Sequence, residues 1–324
     1  MRRRRLPVMR SVIVASILLV ADGGLWAQSM TFSRVGVIDA AVDTVEIAAG
    51  HAYTASAKVL AGYDLTNPAM PKPTGRYTFP EEIWSFRMVG RTIYAGVNFF
   101  GLGVLDVSAP ATPVLRSTFK TPGQAKVGAV VGTRAVVIDH MEGLVDVDLS
   151  NPAKAVGQGS FFLDGYARDV VAAGTLAYAV DSPSGLYVFD LSRPPPLAPI
   201  AAVQTGTALR LIEVTELPNG RRLAVLVGGG LLQIYDVSSP TEPAKLSTFR
   251  TPGGAQRIAL QGALAYVADG KAGVQVIDLS KPSAPQVVGA FQTAAAARDV
   301  AVSGDLLLVA TADEVLVLRT RATP

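Results

Sequence analysis

A chain of 324 residues with a formal net charge of +3, no cysteine and two histidines cannot be a disulfide scaffold and offers little to a histidine-rich metal centre. The positive charge belongs to one end: residues 1–27 hold five of the 29 Lys and Arg and one of the 26 Asp and Glu, leaving 24 against 25 in the rest. A near-neutral chain lacks the basic face that releases counterions, so no nucleic acid partner is expected.

Residues 1–10 are basic, residues 11–20 form an apolar run, and the small residue Ala27 precedes Gln28. That order predicts a secretory signal peptide over residues 1–27. Ten apolar residues are too few for a bilayer core that needs about 20, so no membrane span remains after cleavage. Leu6 and Pro7 follow the arginines where a twin-arginine signal would want Phe-Leu-Lys, which favours general secretion. The expected location is periplasmic, cell-surface or secreted.

From residue 28 onward one pattern orders everything. Asp, Val or Leu, Ser or Thr, any residue, Pro begins at Asp64, Asp106, Asp148, Asp190, Asp236 and Asp278, at intervals of 42, 42, 42, 46 and 42 residues. Such a period signals stacked supersecondary units. Within one unit, residues 257–260, 263–268, 274–278 and 286–291 read as four short β-branched strands separated by Gly, Pro and Asp. Gly50, Gly90, Gly132, Gly174, Gly262 and Gly304 mark the first turn, and Tyr53, Tyr94, Tyr178 and Tyr266 recur on the second strand. The 46-residue interval reflects an insertion around residues 217–220, which belongs at a loop tip. Residues 298–302, 306–310 and 315–318 supply three strands of a last unit, and residues 34–38 align as its missing fourth. The prediction is a single all-β domain over 28–324. It is a seven-bladed β-propeller with four antiparallel strands per blade, closed by the N-terminal strand joining the last blade, which removes the open edges that an unjoined ring would leave to template aggregation.

The run Val274-Gln275-Val276-Ile277-Asp278-Leu279-Ser280-Lys281-Pro282, preceded by residues 265–269 and followed by Phe291, resembles the LVIVD repeat family, predicted β-propellers of exported bacterial and archaeal proteins. The resemblance implies the fold and an envelope or extracellular setting, and it supplies no catalytic motif.

The repeated Asp-x-Ser-x-Pro has a sufficient structural role, since Asp and Ser side chains fold back on backbone N–H groups two residues on and Pro fixes φ. His-Glu-x-x-His, Gly-x-Ser-x-Gly and phosphate-loop motifs are absent, and Trp84 is the sole tryptophan after residue 28. No cofactor or metal is expected.

Candidate residues come from one face of the disc. Six residues before the turn glycines stand Thr44, Trp84, Lys126, Arg168, Gln256 and Arg298, with Asp169, Arg257 and Asp299 next. The loops between second and third strands on the same side carry Asn98, Phe99 and Phe100, then Asp139, His140 and Met141, then Asp181, then Asp269. One face is therefore expected to show a ring of alternating cations and Asp around the channel mouth, with an aromatic group on blade two. Such charges either pair between neighbouring blades or bind a small anionic ligand or a peptide carboxylate. Trp84, Phe99, Phe100 and His140 suit a protein interface, unless Trp84 fills the space between blades and the phenylalanines fold under their loop.

The functional expectation is an exported monomeric scaffold without catalysis. It would bind an envelope or extracellular protein, or a small anionic ligand, through Trp84, Phe99, Phe100, Lys126, His140, Arg168, Asp169, Arg257, Arg298 and Asp299. The alternative is an exported hydrolase or lyase with Asp169 or Asp299 as base and Arg168 or Arg298 as oxyanion partner. A catalytic mouth should hold a carboxylate whose pKa is raised by burial without a partner; a scaffold should show each such Asp paired.

Overall fold

The computed structural model describes residues 29–323 apart from residues 152 and 184, so the leader read in residues 1–27 lies outside the described residues. Those residues form 28 strands and no helix, arranged as seven four-stranded antiparallel sheets. Blade one is Thr44–Ala48, His51–Ser56, Val59–Asp64 and Lys72–Thr78; blade two is Ile83–Val89, Thr92–Val97, Gly101–Asp106 and Val114–Phe119. Blade three is Ala125–Val131, Arg134–Asp139, Gly143–Asp148 and Val156–Phe161; blade four is Tyr166–Ala173, Leu176–Ser182, Gly185–Asp190 and Pro199–Gln204. Blade five is Leu211–Glu216, Arg222–Gly228, Leu231–Asp236 and Ala244–Arg250; blade six is Arg257–Gln261, Leu264–Ala268, Val274–Asp278 and Gln286–Phe291.

Blade seven joins the two ends of the chain. Asp299–Ser303, Leu306–Ala310 and Val315–Thr323 come from the C-terminal side, and Ser29–Ile38 pairs antiparallel with the last of these, from Ser29 opposite Thr323 to Ile38 opposite Val315. First strands of neighbouring blades lie against one another all the way round, blade seven against blade one included. The protein is a closed seven-bladed β-propeller whose first strands surround the axis.

The local chemistry explains the regularity. The six turn glycines have φ between 55° and 76°, a region that costs other residues steric strain. Asp64, Asp106, Asp148, Asp190, Asp236 and Asp278 each accept at Oδ1 the backbone N–H two residues on, at 2.7–3.0 Å, so the recurring Asp closes the turn after the third strand. Asp146 is buried and is held by two nitrogens of Arg134, at 2.8 and 2.5 Å, within its own blade.

Seven apolar clusters make the core, one in each wedge between adjacent blades. Because each sheet meets a neighbour on both faces, a second strand such as Arg134–Asp139 is buried almost throughout. The outer Val114–Phe119 instead alternates between exposed and half-buried positions. The closing strand shares this core. Phe32 is buried with its ring centroid 5.8 Å from that of Phe291, and Gly289 leaves the space that Met30 and Phe32 fill, since a Cβ there would stand 2.7 Å from the Met30 Cβ.

Candidate functional site

Cross-strand pairing sets the height of each first-strand residue along the axis. Opposite Ala55, Gly96, Ile138, Val180, Val227, Ala268 and Ala310 stand Thr44, Ser85, Lys126, Asp169, Leu211, Arg257 and Asp299, one per blade. One residue closer to the strand start come Trp84, Arg168, Arg210, Gln256 and Arg298. Two residues deeper than the Thr44 level, Glu46, Arg87 and Glu213 pair with Tyr53, Tyr94 and Val225. Thr44 and Lys126 thus lie a level below Arg168 and Arg298. In blade one the turn glycine Gly50 is the second residue of its turn, and in blade three the first strand bulges between Val127 and Val130.

The expected ring of alternating charges is therefore two layers. At the mouth, Lys126, Arg168, Arg210, Arg257, Arg298 and Gln256 line a cavity of about 360 Å3. Below it, Glu46, Asp169, Glu213, Asp299, Arg87 and Arg257 line a second one of about 220 Å3.

Ion pairs and backbone hydrogen bonds hold the acidic layer. Asp169, 2% exposed, sits 3.2 Å from Lys126 Nζ and 3.9 Å from Arg87 and accepts the backbone N–H of Ile212 at 3.2 Å. Asp299 accepts the N–H of Val45 at 3.0 Å and of Val300 at 2.9 Å. Glu46 accepts the N–H of Met88 at 2.9 Å. Each of these acids thereby binds the first strand of the next blade, which makes the layer a belt joining the sheets.

Arg87 lies between three acids, 3.6 Å from Glu46, 3.5 Å from Glu213 and 3.9 Å from Asp169. Burial works against its charge, but Glu213, Asp169 and Glu46 outweigh burial and hold the guanidinium more firmly protonated than usual. The acids divide. Burial raises Asp169 too, yet Lys126, Arg87 and Arg257 together bring its pKa below the ordinary value. For Glu46 and Glu213 burial prevails over Arg87, which both share, and over the Met88 N–H at Glu46 and Arg257 at Glu213, and both carboxyls are pushed up to about 7. Burial also lowers the Lys126 pKa, with the Asp169 charge opposing it.

The mouth differs in kind. Arg168, Arg210, Arg257 and Arg298 form no ion pair with a carboxylate among the described residues. Arg210 donates to the carbonyl of Ala255 at 3.4 Å, and Arg168 lies 6.0 Å from the ring centroid of Tyr166. Among the described residues no group of three or more His, Asp or Glu is placed to hold a metal, and no helix is long and apolar enough to cross a membrane.

The LVIVD repeat model matches residues 93–121, 122–161, 164–205, 252–293 and 294–318, together more than half of the chain. The chain belongs to the LVIVD repeat family. No curated protein matches it. Among solved structures, this LVIVD propeller is similar to the β-propeller domain of Myceliophteria thermophila Cps50 (Swd1), with TM-score 0.73 and 9% identity over 89% of this chain and 99% of that one. It is equally similar to Chaetomium thermophilum Raptor, TM-score 0.73 and 12% identity over 92% of this chain and 30% of that one. The computationally designed Ika8 protein matches with TM-score 0.66 and 6% identity, over 88% and 98%. At such identities the likeness is one of fold.

On the aromatic side of the LVIVD propeller, Trp84 and His140 meet edge to face at 5.4 Å across blades two and three, Trp84 half-buried and His140 exposed. Phe99 is 57% exposed at φ 49°, whereas Phe100 turns inward, edge-on to Phe79 at 6.0 Å in the wedge between blades one and two. The loop acids secure backbone: Asp139, Asp181 and Asp269 each accept at 2.8 Å the N–H of a glycine, Gly123, Gly165 or Gly253, that leads into the first strand of their own blade. Arg210, Glu46, Arg87 and Glu213 are site residues that counting back from the turn glycine does not reach. The second-strand tyrosines reach two of them, since Tyr53 and Tyr94 mark the level of Glu46 and Arg87 directly.

Proposed function

We propose that this protein is an exported, non-catalytic binding module whose channel mouth receives an anionic group. The observation that carries the reading is the set of arginines at the mouth, Arg168, Arg210 and Arg298, which converge on one cavity and form no ion pair among the described residues, with Arg257 beside them shared with the acidic layer. Guanidinium groups held on a rigid ring suit bidentate capture of carboxylate or phosphate. Export rests on the order of charge, apolar run and small residue in residues 1–27.

The first test uses Trp84, the sole tryptophan after residue 28, which stands on blade two at the strand level of Arg168 and Arg298. Titration with succinate at low ionic strength should change its fluorescence saturably, and salt should weaken the effect. An Arg168→Ala, Arg298→Ala variant that folds normally should lose it. No response from the wild-type protein would sink the reading. N-terminal sequencing of the protein from an extracytoplasmic fraction should begin at Gln28.

A hydrolase or lyase reading draws on Glu46 and Glu213, whose pKa values near 7 suit a general base. Against it, Asp169 and Asp299 are engaged with neighbouring blades, and the two glutamates share Arg87. Turnover of a carboxylate ester that Glu213→Gln abolishes would favour that reading.

A further inference from the structure

The mouth continues into a second cavity. Arg168, Arg210 and Gln256 line both the space of about 360 Å3 at the axis and another of about 540 Å3 that runs outward over blades five and six. Its walls include Ala208, Leu209 and Ala255, and its floor is main chain at Gly229, Gly230 and Gly254. These glycines have φ of 58°, 73° and 76°, so the backbone itself calls for residues without a side chain. The connection between the second and third strands of blade five is the pair Gly229-Gly230 alone. On blades two and three the same connection carries Phe99 and Met141, both exposed. The rim of the disc is thus low on one side, and the low side leads into the arginine cluster.

An isolated small anion would occupy the axial end and leave the outward cavity empty; together the two have the size that takes an extended ligand. An open floor of glycine main chain flanked by small apolar walls accommodates a peptide backbone with modest side chains, and a cationic end wall receives a terminal carboxylate. Resting on the anion-binding reading above, we infer that the mouth and the glycine groove of blades five and six form one site for the C-terminal end of a partner polypeptide. The free carboxylate lies among Arg168, Arg210 and Arg298, and the preceding residues pass out over Gly229-Gly230.

Fluorescein-labelled random pentapeptides with free C-termini, and the same pool amidated, provide the probe in fluorescence anisotropy. The free acids should bind the full mature chain at least about tenfold more tightly than the amides, since a charge-assisted bidentate contact is lost on amidation. Succinate should compete, and Ala208→Phe, which fills the groove away from the arginines, should abolish peptide binding. Each variant is first checked to melt as the wild type does. Equal binding of acids and amides overturns the inference. If succinate binds but the free acids bind no better, the peptide site is refuted while the anion-binding reading stands. If neither binds, both fall.

Discussion

Arg87 of blade two reaches across the channel and places its guanidinium 3.5 Å from the carboxylate of Glu213 on blade five. The same group also stands near Glu46 of blade one and Asp169 of blade four, so one side chain links four blades through the centre of the ring. Arg87→Met would leave three acids facing one another. Breaking a fully buried pair costs about 3–5 kcal/mol; the channel is open to water, so a loss of about 2 kcal/mol at pH 8 is expected. Urea denaturation checks it, and the loss should shrink at pH 5, where Glu46 and Glu213 hold protons.

Those two glutamates give the fold a pH dependence of definite sign. Their ordinary value of 4.5 is pushed up to about 7 in the folded protein, chiefly by burial. Between these values the folded state keeps protons that the unfolded chain has released, so stability falls as pH rises through the window and levels off above it. The expected total is about 1–3 kcal/mol. Glu46→Gln with Glu213→Gln should flatten the curve of urea midpoint against pH between 5 and 8. Asp169, lowered, acts oppositely: its contribution is present above the ordinary aspartate value and is lost as pH falls below it.

The closing strand should be energetically essential. Phe32→Ala removes a buried ring from the wedge between blades six and seven and is expected to cost about 3 kcal/mol, measured by chemical denaturation. Gly289→Val should be damaging by a different route, because its side chain would displace Met30 and Phe32 from the neighbouring strand.

Adjacent phenylalanines should behave differently. Phe100→Ala empties part of the wedge around Phe79 and should cost about 2–4 kcal/mol, whereas the exposed Phe99→Ala should change stability by less than about 0.5 kcal/mol. If Phe99 contacts a partner, only binding will report its loss.

The blade architecture was legible because the residues that repeat are those whose backbone chemistry admits few substitutes: a glycine at positive φ, an Asp that closes a turn, a proline after it. The channel was less legible. Alternation along a strand places side chains only while the register holds, and the bulges in blades two, three and four shift it. Lys126 therefore sits deeper than Arg168. Arg210 escaped because the longer hairpin around residues 217–220 moved its glycine away from the expected interval. The acidic layer depends on residues from blades one, four, five and seven meeting at the axis, a relation that no single repeat contains.

The joining of Ser29–Ile38 to Val315–Thr323 also imposes an order in time. Thr31 and Arg321, hydrogen-bonded partners, are 290 positions apart, so the propeller's opening strand cannot pair until its closing one has been made. Until the final blade emerges, the opening strand has no sheet to join, and Phe32 and Met30 remain uncovered. A chain built this way completes its fold only once all of it is on the same side of any barrier it crosses.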